Sequence, residues 1–388
     1  MIKKSLLQIT AVGASAILLA SCASVYEKEL EQEAQAKANT PTPAAAPSTP
    51  VVSDTPPTNT GLPKPKTNPL PDPLPPMALA QAKEDFVKRT SAKFAIDPEY
   101  IRGVLNQAEK RDSIIALMSR PAETSKTWAQ YRPIFITSAR INGGKKFIAE
   151  NRADLQRVED AYGVPKEIIT AIMGVETGWG ANMGKTNVVD ALYTLGFFYP
   201  RTGDPAKADR EARREAFFRN EFMELFAMGK REKMDITKLQ GSYAGAMGLG
   251  QFMPSSYMEM AVDGDGDGRA DLFNSKRDAM ASIANYFIKR GGWVRGGTVT
   301  LKATRDSNAR DITPESLDPV YTVQQLADRG FRPLIPVTAT AKANIFRLEG
   351  DNGPEYWYSF QNFYAITRYN ISKHYGMATY ELSRELAK

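Results

Sequence analysis

Lys166-Glu167-Ile168-Ile169-Thr170-Ala171-Ile172-Met173-Gly174-Val175-Glu176 is the stretch that decides how this chain folds. Pro165 precedes it and suits the first position of a helix, where a fixed φ and a missing N–H cost nothing. Ile169, Ile172 and Met173 recur at helical spacing and form an apolar stripe. Glu176 follows Ile172 by four residues and Ile169 by seven, so an acid lies on the face turned to the core. Burial disfavours the charged carboxylate, and the negative end of the helix dipole adds to that. Both effects raise the pKa toward what a general acid needs near neutral pH. The same spacing also fits a glutamate at a fraying helix end that turns to water. The neighbours separate the two readings.

Working outward, Glu84 to Phe94, Asp97 to Ala108 and Ser138 to Tyr162 carry apolar and charged residues at helical spacing, and Gly163 closes the third as a C′ glycine. A further amphipathic helix runs from about Ala208 to Lys233, with Phe218, Phe222, Leu225 and Phe226 on one face. After Trp293 the period changes. Thr298 to Leu301 and Asn344 to Leu348 read as short strands, with Asp351-Asn352-Gly353 as a turn. From Phe363 the pattern is helical again. The sequence thus predicts a mainly α (α+β) protein with a small antiparallel β part.

Two scarcities narrow the chemistry. The 388 residues contain one cysteine, Cys22, and one histidine, His374. No internal disulfide is available, a His/Cys zinc site lacks ligands, and no serine sits in a G-x-S-x-G elbow. Acid–base work falls to carboxylates. The formal charge of +6 admits an anionic partner, yet no clustered Lys/Arg run marks a nucleic-acid surface. Met183-Gly184-Lys185-Thr186 invites a phosphate-loop reading, but that motif needs glycine where Trp179 stands; Gly178 and Gly180 each miss by one position.

The N-terminal part has a different composition. Lys3 and Lys4, the apolar run Leu6 to Ala20, and Leu19-Ala20-Ser21-Cys22 form a signal peptide ending in a sequence that resembles the bacterial lipobox. That resemblance implies acylation of Cys22 and a membrane attachment through its lipid. Ala23 follows in place of the aspartate that marks inner-membrane retention, so the expected location is the periplasm, anchored to the outer membrane. Between Pro41 and Pro76 lie thirteen prolines, which predicts a disordered Pro/Thr/Ala-rich tether over residues 23–76. The folded part is expected over 77–388: helices with the catalytic core over about 77–293, a β-rich part over 294–360, and a closing helical segment over 361–388.

Gly241-Ser242-Tyr243-Ala244-Gly245-Ala246-Met247-Gly248-Leu249-Gly250-Gln251-Phe252-Met253-Pro254-Ser255-Ser256 is the second unusual stretch. Its glycines allow a backbone to approach a ligand closely, and Tyr243 and Gln251 offer a sugar face and hydrogen bonds. Taken alone, it also fits a plain glycine-rich turn into a helix at Pro254.

Together, Gly174-Val175-Glu176-Thr177, the stretch from Gly241 to Ser256, and Asn362-Phe363-Tyr364-Ala365-Ile366-Thr367-Arg368-Tyr369-Asn370 resemble the membrane-bound lytic murein transglycosylase B family. The similarity runs from about Lys83 to the C-terminus. It implies a lysozyme-like helical core with an added α domain and a small antiparallel β domain. It also implies that Glu176 is the sole catalytic acid and base. Ser242, Tyr243, Gln251, Tyr364, Tyr369 and Asn370 then line a glycan cleft, and Arg201 matches a substrate-contacting arginine. A second arginine that often follows is Thr202 here.

Asp263-Gly264-Asp265-Gly266-Asp267-Gly268 resembles an EF-hand loop, with carboxylates at positions 1, 3 and 5 and glycine at 6. The Arg269 carbonyl and Asp271 take positions 7 and 9, and Asn274 replaces the closing glutamate. The family resemblance adds Asp278 from the following helix and implies a structural calcium ion. An acidic surface turn is the plainer alternative. No organic cofactor is called for.

The activity that the resemblance implies is cleavage of the MurNAc–GlcNAc β-1,4 bond of peptidoglycan glycan strands with formation of a 1,6-anhydroMurNAc end. Cell-wall synthesis or remodelling proteins are the partners such an enzyme would meet. A lysozyme-type hydrolase and a non-catalytic wall-binding lipoprotein are the alternatives.

Overall fold

A computed structural model describes residues 77–119, 126–309, 312 and 316–388. Cys22, the signal peptide and the tether lie outside these residues. The helices are α1 (Leu79–Phe94), α2 (Pro98–Gln107), α3 (Asp112–Met118), α4 (Trp128–Phe135), α5 (Ser138–Glu150), α6 (Arg152–Tyr162), α7 (Lys166–Thr177), α8 (Val188–Phe197), α9 (Ala208–Glu232), α10 (Pro254–Met260), α11 (Lys276–Lys289), α12 (Val323–Asp328), α13 (Gln361–Tyr369) and α14 (Lys373–Leu386). The strands are β1 (Thr186–Asn187), β2 (Gln240–Gly241), β3 (Thr300–Arg305), β4 (Tyr321–Thr322), β5 (Phe331–Pro333), β6 (Lys342–Gly350) and β7 (Gly353–Ser359).

α7 is the axis of the helical part. Every residue from Ile168 to Thr177 is buried, so the apolar stripe read from the sequence is one side of a helix covered on all sides. α14 packs along it, with α5, α6 and α11 completing the surround. Pro165 is the residue before the first turn, and its carbonyl accepts from Ile168 N at 2.9 Å. Gly178, with φ 59°, takes the left-handed turn that ends the helix.

The stretch from Ser138 to Tyr162 is two helices, where the sequence suggested one. Asn151 adopts φ −119° and ψ 23°, and its side-chain amide donates to Phe147 O at 2.8 Å. A short polar side chain here competes for a helical carbonyl and ends α5.

The larger sheet has the order β4-β6-β7-β3-β5, with every pair antiparallel. Alternation divides its residues between two cores. Phe346 and Leu348 join the helical core, while Ile345, Tyr358, Ala303 and Phe331 close a smaller one with Val323 and Leu326 of α12. The sheet is thereby fixed to the helices through one face. The fold is mainly helical with a small antiparallel sheet, as the motifs imply. No described helix is long and apolar enough to cross a membrane.

Candidate active site

Glu176 lies one residue before the end of α7 and is 8% exposed. Its Oε1 accepts a hydrogen bond of 2.6 Å from the hydroxyl of Tyr375, itself fully buried near the start of α14. Burial pushes the Glu176 carboxyl up to about 7, and the Tyr375 hydrogen bond opposes that rise. No charged group among the described residues adds to these causes. The carboxyl is therefore poised to carry a proton near neutrality, with no partner carboxylate acting on it.

The glycine-flanked Trp179 supports this end of the helix. Its indole N–H donates to Thr170 O at 3.0 Å. The ring also covers Gly174 so closely that a Cβ there would stand 2.5 Å from it. Thr177, next to Glu176, uses its hydroxyl three ways. It donates toward Met173 O (3.2 Å) and Leu249 O (2.9 Å), and it accepts from Gly180 N at 3.0 Å.

Leu249 belongs to the stretch from Gly241 to Ser256, a loop folded on itself by bridges between Gly241 and Met247 and between Met247 and Phe252. Gly241 also pairs with Thr186, which ties the loop to the segment that follows Glu176. Gly184 packs against that pairing so tightly that a Cβ would meet Gly241 O at 2.0 Å. Gln251 adopts φ 52°, and its side-chain amide donates to Met183 O and Gly248 O, both at 3.1 Å. Tyr369 donates to Gly250 O at 2.6 Å, and its ring lies 4.8 Å from Tyr286 and 5.9 Å from Phe252. The loop is thus tied to α7 through Thr177, next to Glu176, and to α13 through Tyr369.

The remaining expected cleft residues fall in several places. Tyr243 and Tyr364 are each 7% exposed, and the Arg368 guanidinium lies 4.4 Å over the Tyr364 ring. Asn370 follows α13 and is buried. Ser242 departs from the expected lining position. It is wholly buried, and its hydroxyl accepts from Ala244 N (3.3 Å) and Ala246 N (3.0 Å), so it braces the loop from inside. Arg201 is exposed and paired with Glu215 of α9. Tyr375 escaped the sequence reading: it lies 199 residues from Glu176, and no spacing rule connects them.

Asp263, Asp265 and Asp278 place ligand oxygens within 4.8 Å of one another. Asp278 is fully buried at the first turn of α11 and accepts from Gly264 N (2.8 Å), Asp265 N (3.2 Å) and Asp271 N (2.7 Å). Backbone N–H groups, Gly268 foremost, hold the Asp263 carboxyl below its ordinary range. Three converging carboxyl groups fit a hard cation. Asp267 and Asp271 are not part of this group. Asp267 accepts from Arg269 N at 2.9 Å, and Asp271 accepts from Phe273 N and Asn274 N. Both carboxylates brace local turns, as Asp263 does with Gly266 N and Gly268 N.

A buried carboxyl held near neutrality within a mainly helical core is what an enzyme that protonates a glycosidic oxygen requires. Residues 78–384 match the family model described as transglycosylase SLT domain. Membrane-bound lytic murein transglycosylase B of Escherichia coli (strain K12) is 39% identical over 313 residues, covering 78% of this chain and 82% of that protein. Soluble lytic transglycosylase SltB1 of Pseudomonas aeruginosa is 42% identical with a TM-score of 0.70, over 79% of this chain and 98% of that one. Escherichia coli lytic transglycosylase Slt35, solved in complex with calcium, is 38% identical with a TM-score of 0.69, over 79% of this chain and 92% of that one. The chain belongs to the transglycosylase SLT domain family. It is a lytic transglycosylase of peptidoglycan.

Proposed function

We propose that Glu176 is the only acid and base of the reaction, acting on the β-1,4 bond between MurNAc and GlcNAc. The carrying observation is its burial beside Tyr375, with a carboxyl raised to about 7 and no second carboxylate acting on it. Protonated Glu176 gives its proton to the glycosidic oxygen as an oxocarbenium-like state develops. The N-acetyl group of the substrate then takes the nucleophile's place. Ionised Glu176 removes the proton from the C6 hydroxyl, which closes a 1,6-anhydro ring without consuming water. Tyr375 orients the carboxylate and stabilises its charged form between the two steps.

In this reading Tyr243, Gln251, Tyr364, Tyr369 and Asn370 bind the glycan, with Ser242 bracing the loop and Arg201 reaching the strand from the rim. Asp263, Asp265 and Asp278 hold a structural calcium ion, which would tie the acidic loop to α11. The lipid on Cys22 anchors the protein at the outer membrane, and residues 23–76 let the catalytic region, 77–388, reach the wall from the periplasmic side. Mass spectrometry of digested peptidoglycan tests the chemistry. Products ending in 1,6-anhydroMurNAc, one water lighter than hydrolytic ends, are expected. Reducing ends would indicate a lysozyme-type hydrolase, and no cleavage by folded protein a wall-binding lipoprotein.

A further inference from the structure

Glu221 is a second buried carboxyl, on α9, that the chemistry above does not use. It is 4% exposed, and both of its oxygens are committed to one residue. Oε2 accepts from Ser255 N at 2.9 Å, and Oε1 accepts from the Ser255 hydroxyl at 2.6 Å. Ser255 is the second residue of α10, whose N-cap position, Met253, provides no side-chain cap. The carboxyl of a different helix therefore does what an N-cap side chain would do.

Burying an acid costs stability unless its bonds return something. What this pair fixes is the exit of the loop from Gly241 to Met253. The loop's other side-chain anchors to neighbouring segments include Thr177 on Leu249 O, Tyr369 on Gly250 O and the Gln251 amide on Met183 O. Gln251 lies between Gly250 and Ser255 in the left-handed region, which a non-glycine residue holds only when its surroundings impose it. We propose that Glu221 is a positioning residue of the glycan cleft, pinning the loop exit through Ser255 so that Gln251 keeps its strained conformation. The proposal rests on the reading that Gln251 contacts the glycan.

Burial raises the Glu221 carboxyl to about 7, with the Ser255 bonds opposing, Glu224 adding to the rise and Arg290 lowering it. Glu224 is paired with Lys93, and Arg290 with Glu259 of α10. The tether does not depend on the charge. A protonated Glu221 still accepts from Ser255 N and can donate to the Ser255 hydroxyl, and a glutamine does the same.

The test measures kcat and KM on a soluble glycan fragment for wild type, Glu221→Ala, Glu221→Gln and Ser255→Ala, with melting curves for each. Glu221→Ala should raise KM about tenfold, Ser255→Ala about threefold, and Glu221→Gln should restore KM to within about twofold of wild type. The alkaline side of the pH profile, set by Glu176, should stay in place in all four. A Glu221→Ala protein with wild-type KM would overturn the proposal, as would Glu221→Gln being as impaired as Glu221→Ala. A purely architectural role lowers the melting temperature and leaves KM alone. If Glu221→Ala does not fold, Ser255→Ala with unchanged KM overturns it instead. Wild-type protein that makes no anhydro ends would count against the catalytic reading, not against the tether.

Discussion

A carboxyl in an apolar pocket favours the native state more when protonated than when ionised. Glu176, at about 7 against an ordinary 4.5, binds its proton more tightly folded than unfolded. Its contribution is therefore full below about 4.5 and is lost as pH rises through 7. Glu176→Gln keeps the Tyr375 hydrogen bond and has no charge to desolvate. It should melt well above wild type at pH 8 and close to it at pH 4, a gap on the order of 3 kcal/mol for such a shift. The same variant should lose at least about a hundredfold in rate. Equal melting differences at both pH values, or activity within a few-fold of wild type, would remove Glu176 from its role. Tyr375→Phe takes away the bond that lowers the Glu176 pKa, so the alkaline fall of kcat/KM should move to higher pH. A limb that stays in place would mean that Tyr375 does not govern the proton.

Among the elements, α7 was legible because Pro165 and the apolar spacing agree with one another. The break at Asn151 was not, since one asparagine within an apolar period carries little signal until its side chain finds Phe147 O. Ser242 shows the same limit in the site: the family resemblance put it in the right loop, but the N–H groups of Ala244 and Ala246 decided where its oxygen points. In the acidic loop the converging trio has a measurable consequence. Calcium should raise the melting temperature of metal-free protein by mass action. Asp278→Asn and Asp263→Ala should each abolish that rise, while Asp267→Ala should retain most of it. Calcium titration without a change in melting would leave the loop an acidic turn.

For the whole molecule, the closed ring product and the anchor are separable predictions. Digestion in heavy-oxygen water should leave the new glycan ends unlabelled, because a tethered C6 hydroxyl has a high effective concentration at the reacting carbon. Labelled ends would show that water wins. Cys22→Ala should move the protein from membrane to soluble fractions with its activity unchanged, and continued tight membrane association would point to a different anchor. The hydrogen bond from Tyr375 to Glu176 also bears on how the enzyme comes into being. Closing a loop of 199 residues costs roughly 5 kcal/mol of chain entropy, which only completed packing can offset. Until α14 docks on α7, Tyr375 cannot reach Glu176, so the hydrogen bond that holds the carboxyl is among the last contacts the fold can complete.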